Sequence, residues 1–153
     1  MRCNVGIPPS VLADQHLVAE SVELKMVPGL MRHRIRVGSR QSAPPTSFTL
    51  GKGHMLFFTN KLKYLSRRLE EVNKEMRARG FSPGMPDYID SKEFGDKARH
   101  DWSPTSKDSQ LVKDRITEKV NRKNDGFWRF HRQPVTNKQI VDQVQTDGPP
   151  YFC

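Results

Sequence analysis

Three ionisable side chains, His16, Glu20 and Glu23, recur at i, i+4 and i+7 and so share one face of any helix that carries them. Such a trio can ligate a metal, act as general acid and base, or simply stand in solvent. A metal site would need further Cys or His partners at ligand spacing, and the trio lacks them. The residues alone leave a solvated face as the default. A second constellation mixes cations with rings: Lys113, Arg115, Lys119, Arg122 and Lys123 run into Phe127-Trp-Arg-Phe-His-Arg132. Cations meet phosphates while rings stack on exposed bases, so this pattern suits nucleic acid. Arg32, Arg34, Arg36 and Arg40 form another basic run. Lys61, Lys63, Arg67, Arg68, Lys74, Arg77 and Arg79 are interleaved with Glu70, Glu71 and Glu75, which reads as a solvated helix face.

Three helices must position these groups. The first spans about residues 12 to 27, with Asp14 in its opening turn, until Pro28-Gly29 interrupts it. The basic stretch from Met31 follows as a continuation or a second short helix. The second helix carries Phe58, Leu62, Leu65, Leu69, Val72 and Met76 at alternating spacings of four and three, a core-facing stripe ending in basic residues and Gly80. The third covers roughly residues 105 to 123, with Val112, Ile116 and Val120 stacked and Ser103-Pro104 as cap and first-turn proline. Residues 40 to 50 and 82 to 102 are irregular, and the longer stretch is a candidate functional loop. The expected fold is all-α: a single compact domain of about three main helices with long irregular loops. It occupies residues 1–132, and residues 133–153 form a polar, weakly ordered tail.

Composition narrows the function classes. The 153 residues hold 26 Lys and Arg against 17 Asp and Glu, a net charge of +9, with a pI near 9.8. That excess points to a polyanion. With 35% hydrophobic residues and a mean hydropathy of -0.74, only a modest core is possible. No apolar run reaches the roughly 18 residues of a membrane span. Only Cys3 and Cys153 are present, so a disulfide scaffold is excluded, and a reducing, intracellular (cytoplasmic) setting is expected. Cys3 reads as a small buried hydrophobe and Cys153 as an unpaired thiol on the tail. His54, after two glycines, either caps the second helix or contacts DNA.

Leu12-Ala-Asp-Gln-His-Leu-Val-Ala-Glu20, followed by Glu23-Leu24, resembles the first helix of the phage-type pyrimidine-dimer DNA glycosylases, historically called endonuclease V. The resemblance continues through Gly51-Lys-Gly-His54 with Phe57-Phe58, Lys61-Leu62, Arg79-Gly80-Phe81, Asp101-Trp-Ser-Pro104 and Arg115-Ile-Thr-Glu-Lys-Val120. It ends around Trp128. The resemblance implies a DNA repair glycosylase with abasic-site lyase activity, acting on ultraviolet-damaged duplex DNA as a monomer with no metal or organic cofactor. In that family a free N-terminal α-amine attacks C1′ of the lesion nucleotide and forms an imine, while a glutamate assists the sugar chemistry and β-elimination. By position that glutamate is Glu23.

Acid–base chemistry favours the amine. At its ordinary pKa an α-amine is about 14% neutral at pH 7, whereas lysine is about 0.04% neutral. Family members commonly begin Met-Thr-Arg and lose the methionine; this chain begins Met1-Arg2-Cys3-Asn4, and the bulky Arg2 should prevent that removal. Met1 is therefore the expected nucleophile. The resemblance further implies that Arg2 sits beside the lesion or its phosphate, close to the amine, and that Gln15 and His16 approach the DNA. Arg32, Arg115 and Lys119 would contact phosphates, and Trp128 would belong to the lesion-binding surface. Val22 and Met26 depart from the pattern, standing where better-known members carry arginines. Two further readings follow from that departure: a DNA-binding protein of this fold without catalysis, or a glycosylase of the same mechanism for another modified pyrimidine.

Overall fold

The computed structural model of the chain describes residues 3–40 and 42–148. The apolar stripe of the second predicted helix becomes α4, Leu62–Ala78, with Leu62, Leu65, Leu69, Val72 and Met76 all buried. Phe58 lies just before it, at the end of the one-turn helix α3, His54–Phe57. Gly80, at φ +81°, then turns the chain away.

Against α4 packs α1, Asp14–Glu23, whose sequence pattern is hard to read because its inner face is polar. Asp14, Glu20 and Ser21 are buried and meet Arg79, Arg68 and Asn73 of the α4 segment. The start of α1 meets the end of α4 while later residues of α1 meet its middle, so the two run antiparallel. The helix breaks at Leu24-Lys25, earlier than expected, and α2, Met26–Val37, begins at once. Pro28 and Gly29 fall inside α2. Proline is tolerated at this third helical position because its missing N–H is one that a first turn leaves unbonded anyway.

The irregular stretch after α4 runs back along that helix. Ser66 donates to the Ile89 carbonyl, Asn73 to the Asp87 carbonyl, and Arg77 and Arg67 pair with Asp87 and Asp101. α5, Ser106–Asn121, buries Val112, Ile116 and Val120. Its cap is Thr105, in a reciprocal box with Asp108, rather than Ser103; Pro104 lies outside the helix. A two-stranded hairpin follows, β1 Arg129–Phe130 and β2 Gln133–Pro134, with Phe130 opposite Gln133.

Beyond it the structure departs from the expected weakly ordered tail. Residues Asn137–Thr146 form α6, which packs on α5 and buries Ile140, Gln143 and Val144. Thr136 and Gln139 close a second capping box, and Gln143 donates to the Val11 carbonyl. The residues from Pro149 to Cys153 lie outside the described residues. One continuous buried cluster joins Cys3, Val5 and Ile7 with α1, α4, α5, the hairpin and α6.

Candidate active site

Glu23 closes α1, and the outer face of that helix forms one wall of a cleft of about 750 Å³. Gln15, Val18, Ala19, Val22 and Glu23 contribute from α1; Phe81, Arg129 and Arg132 face them. Aliphatic and aromatic surface lines the cleft, a carboxylate stands at one end of α1, and two guanidiniums rim the other side. Arg132 donates to the Gly80 carbonyl at 2.6 Å and lies over the Phe81 ring at 4.8 Å. Arg129 donates to the Arg132 carbonyl, so both charges meet carbonyls rather than carboxylates.

The hairpin owes its place to two neighbouring residues of α1. His131 and Arg132 form its turn at φ 48° and 68°, both left-handed, the twist that a two-residue hairpin loop needs. Their successive N–H groups converge on the buried Asp14 carboxylate, at 3.2 and 2.7 Å, and Arg79 adds a third bond to it at 2.9 Å. Gln15 spans the adjoining strand, donating to the Phe127 carbonyl and accepting from the Arg129 N–H. Without these acceptors two non-glycine residues would sit in a costly backbone region with nothing offsetting it.

A second network holds the start of the chain against α1. Glu20, fully buried, accepts from the Asn4 N–H at 3.1 Å and from its side-chain amide at 2.8 Å. Arg68 makes two hydrogen bonds to the same carboxylate, at 2.7 and 3.1 Å, and a third to the Ile7 carbonyl at 2.7 Å. Burial works against the Arg68 charge, yet the facing Glu20 carboxylate more than offsets it and holds the guanidinium protonated. Burial, with the Glu20 charge adding to it, pushes the Cys3 thiol well above its ordinary range. His54 is also buried and binds the Cys3 N–H at 3.0 Å. Its desolvation lowers its pKa to about 4, although the Thr49 carbonyl pulls the other way.

The predicted site residues scatter accordingly. Glu23 is in the cleft, and Gln15 both lines it and anchors its far wall. His16 and Trp128 are 3% and 7% exposed, their rings in tilted contact at 4.4 Å between centroids, with the indole N–H bonded to the Val120 carbonyl. They belong to the packing beneath the surface instead of presenting ring faces to solvent. Arg32 makes a bidentate pair with Glu93, which holds its guanidinium charged and Glu93 below the usual carboxylate range. Arg115 is half-buried and donates to the Asn4 side chain at 3.3 Å, and Lys119 lies one turn further along α5. Met1 and Arg2 lie outside the described residues.

Several functional positions were hidden in the sequence. Arg68 and Arg79 counted among the solvated cations of the second helix; both are instead buried, against Glu20 and against Asp14 with Glu75. Arg68 and Arg79 each fall three residues after a stripe residue, Leu65 and Met76, on the flank of the apolar face, whereas Arg67 and Arg77 point away from it and are exposed; only the carboxylate partners were hidden. Phe81, Arg129 and Arg132 fall in recognised blocks, but only folding brings them opposite Glu23. Val22 and Met26 are 57% and 45% exposed, and Val22 lines the cleft.

Fold and cleft together define a small helical protein in which the Glu23 carboxylate shares an apolar cleft with two arginines. Residues 2–89 match the model of the pyrimidine dimer DNA glycosylase family, more than half of the chain, and the chain belongs to that family. It is a DNA glycosylase, and DNA is its substrate. The matched region contains α1, Glu20, Glu23, His54 and Arg68, while α5, the hairpin and α6 lie beyond it. No described helix is long and apolar enough to cross a membrane.

Proposed function

We propose that the enzyme excises cyclobutane pyrimidine dimers from duplex DNA and then cuts the strand, acting as a monomer through its own N-terminal α-amine. The neutral amine of Met1 attacks C1′; the glycosidic bond breaks and the base leaves with its electron pair. Loss of a proton from nitrogen and opening of the sugar ring yield an imine. Glu23 then removes a C2′ proton, and the electrons expel the 3′ phosphate in a β-elimination. Water hydrolyses the imine and returns the amine. The imine serves as the electron sink, so no step requires a cofactor.

The observation that carries this reading is the pairing of two carboxylates on α1. Glu20 anchors the Asn4 backbone, and Glu23 stands one turn further on in the cleft. That arrangement brings the beginning of the chain and a general base to the same helix. A slot lined by Val18, Val22 and Phe81 suits the face of an unstacked base, and a damaged, weakly stacked step exposes one at lower cost. Arg2, Arg115 and Lys119, with Arg129 and Arg132, contact flanking phosphates in this reading. Gln15, His16 and Trp128 act by holding the hairpin wall, and Arg32 contacts DNA only by leaving Glu93.

Borohydride trapping on duplexes bearing a thymine dimer, an abasic site or neither, followed by peptide mapping, tests the proposal. A covalent adduct on Met1 with the dimer duplex is expected, and intact mass should show Met1 retained. Glu23→Gln should lower strand cleavage by about 10²- to 10⁴-fold while leaving duplex affinity in place. Wild-type cleavage by that variant would remove Glu23 from the mechanism. Val22 and Met26, apolar and exposed, favour a second reading in which another modified pyrimidine is preferred. An adduct with the abasic duplex but not the dimer would select it. No adduct on any duplex, despite tight binding, would leave a DNA-binding protein without catalysis.

A further inference from the structure

The first described residues belong to no helix or strand, yet several of their backbone groups are bonded to side chains of the fold. Cys3 donates to Nε2 of His54 at 3.0 Å, Asn4 donates to Glu20 at 3.1 Å, and Ile7 accepts from Arg68 at 2.7 Å. Glu20 and Arg68 also hold each other, so their burial is explained by the α1–α4 interface. His54 instead bonds the Thr49 carbonyl on one side and the Cys3 N–H on the other. Its ring packs against Phe48 and Phe58, edge-on to each at centroid distances of 5.4 and 5.3 Å.

The tautomer of that ring is dictated by its partners. Nδ1 lies 2.9 Å from the Thr49 carbonyl, which can only accept, so Nδ1 carries the hydrogen. Nε2 is left with a lone pair, which the Cys3 N–H requires. A loop built for this purpose leads to it: Gly51 is at φ +74°, and a Cβ on Gly53 would lie 2.7 Å from the Thr49 side chain. The chain therefore folds back tightly enough for His54 to reach the Thr49 carbonyl. Cys3 is two residues along the chain from Met1, the nucleophile of the proposed function, and two residues span at most about 7 Å.

We infer that His54 is a positioning residue for the N-terminal nucleophile, a neutral imidazole strut that fixes the Cys3 backbone so that the amine meets C1′. The inference rests on the reading that this amine is the nucleophile. His54 touches no reacting atom, and it acts through Cys3 alone. Misplacement of a nucleophile by about 1 Å can lower a rate on the order of 100-fold without altering substrate affinity.

The test compares the chain with its native N-terminus, H54F and H54Q in single-turnover borohydride trapping on an abasic duplex. Phenylalanine fills the ring volume against Phe48 and Phe58 but cannot accept from Cys3. Glutamine can accept from Cys3 with its oxygen and donate to Thr49 with its nitrogen. H54F should trap on the order of 100-fold more slowly per folded molecule, with the loss in kcat and not in KM, and H54Q should recover most of it. Should H54F fail to fold, H54N takes its place, since its shorter amide cannot span both partners. Trapping by H54F at the wild-type rate per folded molecule, or equal losses in the variant and H54Q, would overturn the inference. Peptide mapping of the wild-type adduct separates the two failures: an adduct on a lysine removes the amine reading itself, whereas an adduct on Met1 leaves that reading standing whatever His54 does.

Discussion

Glu20 and Glu23 are the same residue type on one helix, three positions apart, and their surroundings give them different work. Glu20 is buried against Arg68 and the Asn4 backbone, so it is a structural anion. Glu23 lines the cleft, where a carboxylate can take a proton from a substrate. His54 shows the same dependence on environment. Its pKa falls from 6.5 to about 4 in the fold, so between those values the unfolded chain binds more protons than the native one. Its contribution is complete above pH 6.5 and is lost as pH falls through 4. The shift corresponds to roughly 3 kcal/mol. Urea midpoints measured from pH 7 down to pH 4 should fall for the wild type, and less steeply for His54→Gln. Parallel curves for the two proteins would show that His54 is not the group being protonated.

Among the elements, α6 and the hairpin decide how the cleft is built. α6 buries Ile140 and Val144 against α5, and α5 in turn carries the Val120 carbonyl that receives the Trp128 indole. The hairpin wall thus depends on a helix that lies outside the cleft. Ile140→Ala should destabilise the protein by about 2–5 kcal/mol, through lost burial and the cavity left behind. Thermal or urea unfolding measures it, and a change under about 0.5 kcal/mol, as at an ordinary surface site, would mean that α6 is not part of the cooperative fold. From the sequence this segment looked too polar to pack. Its two fully buried aliphatics at i and i+4, with a Thr136–Gln139 capping box, suffice because α5 presents a complementary stripe.

At the scale of the whole molecule, a charge of +9 is less informative than which cations keep their charge uncompensated. Arg32, Arg67, Arg68, Arg77, Arg79, Arg99 and Arg122 are each committed to carboxylates. Arg129 and Arg132, at the cleft, donate to carbonyls and form no ion pair with a carboxylate among the described residues. Duplex affinity should therefore fall linearly on a log–log plot against salt, each neutralised phosphate adding about 0.9 to the slope. Arg129→Gln should reduce that slope by about 1, as read by fluorescence anisotropy across a salt series. An unchanged slope would take the hairpin off the DNA-contacting face.

Local pattern determined a good part of this protein. The alternating four-and-three spacing from Phe58 to Met76, the stacked Val112, Ile116 and Val120, and the Ala-Asp-Gln-His-Leu block before Glu23 made the helical class and the family legible. Those signals depend only on periodicity and on residues adjacent in the chain. Tertiary structure decided the rest. It alone paired Asp14 with the turn at His131 and Arg132, supplied the carboxylates against which Arg68 and Arg79 are buried, and laid His54 against Cys3. Each of those outcomes depends on a polar partner some 50 to 120 residues away, and a buried charge is tolerated only where such a partner waits for it.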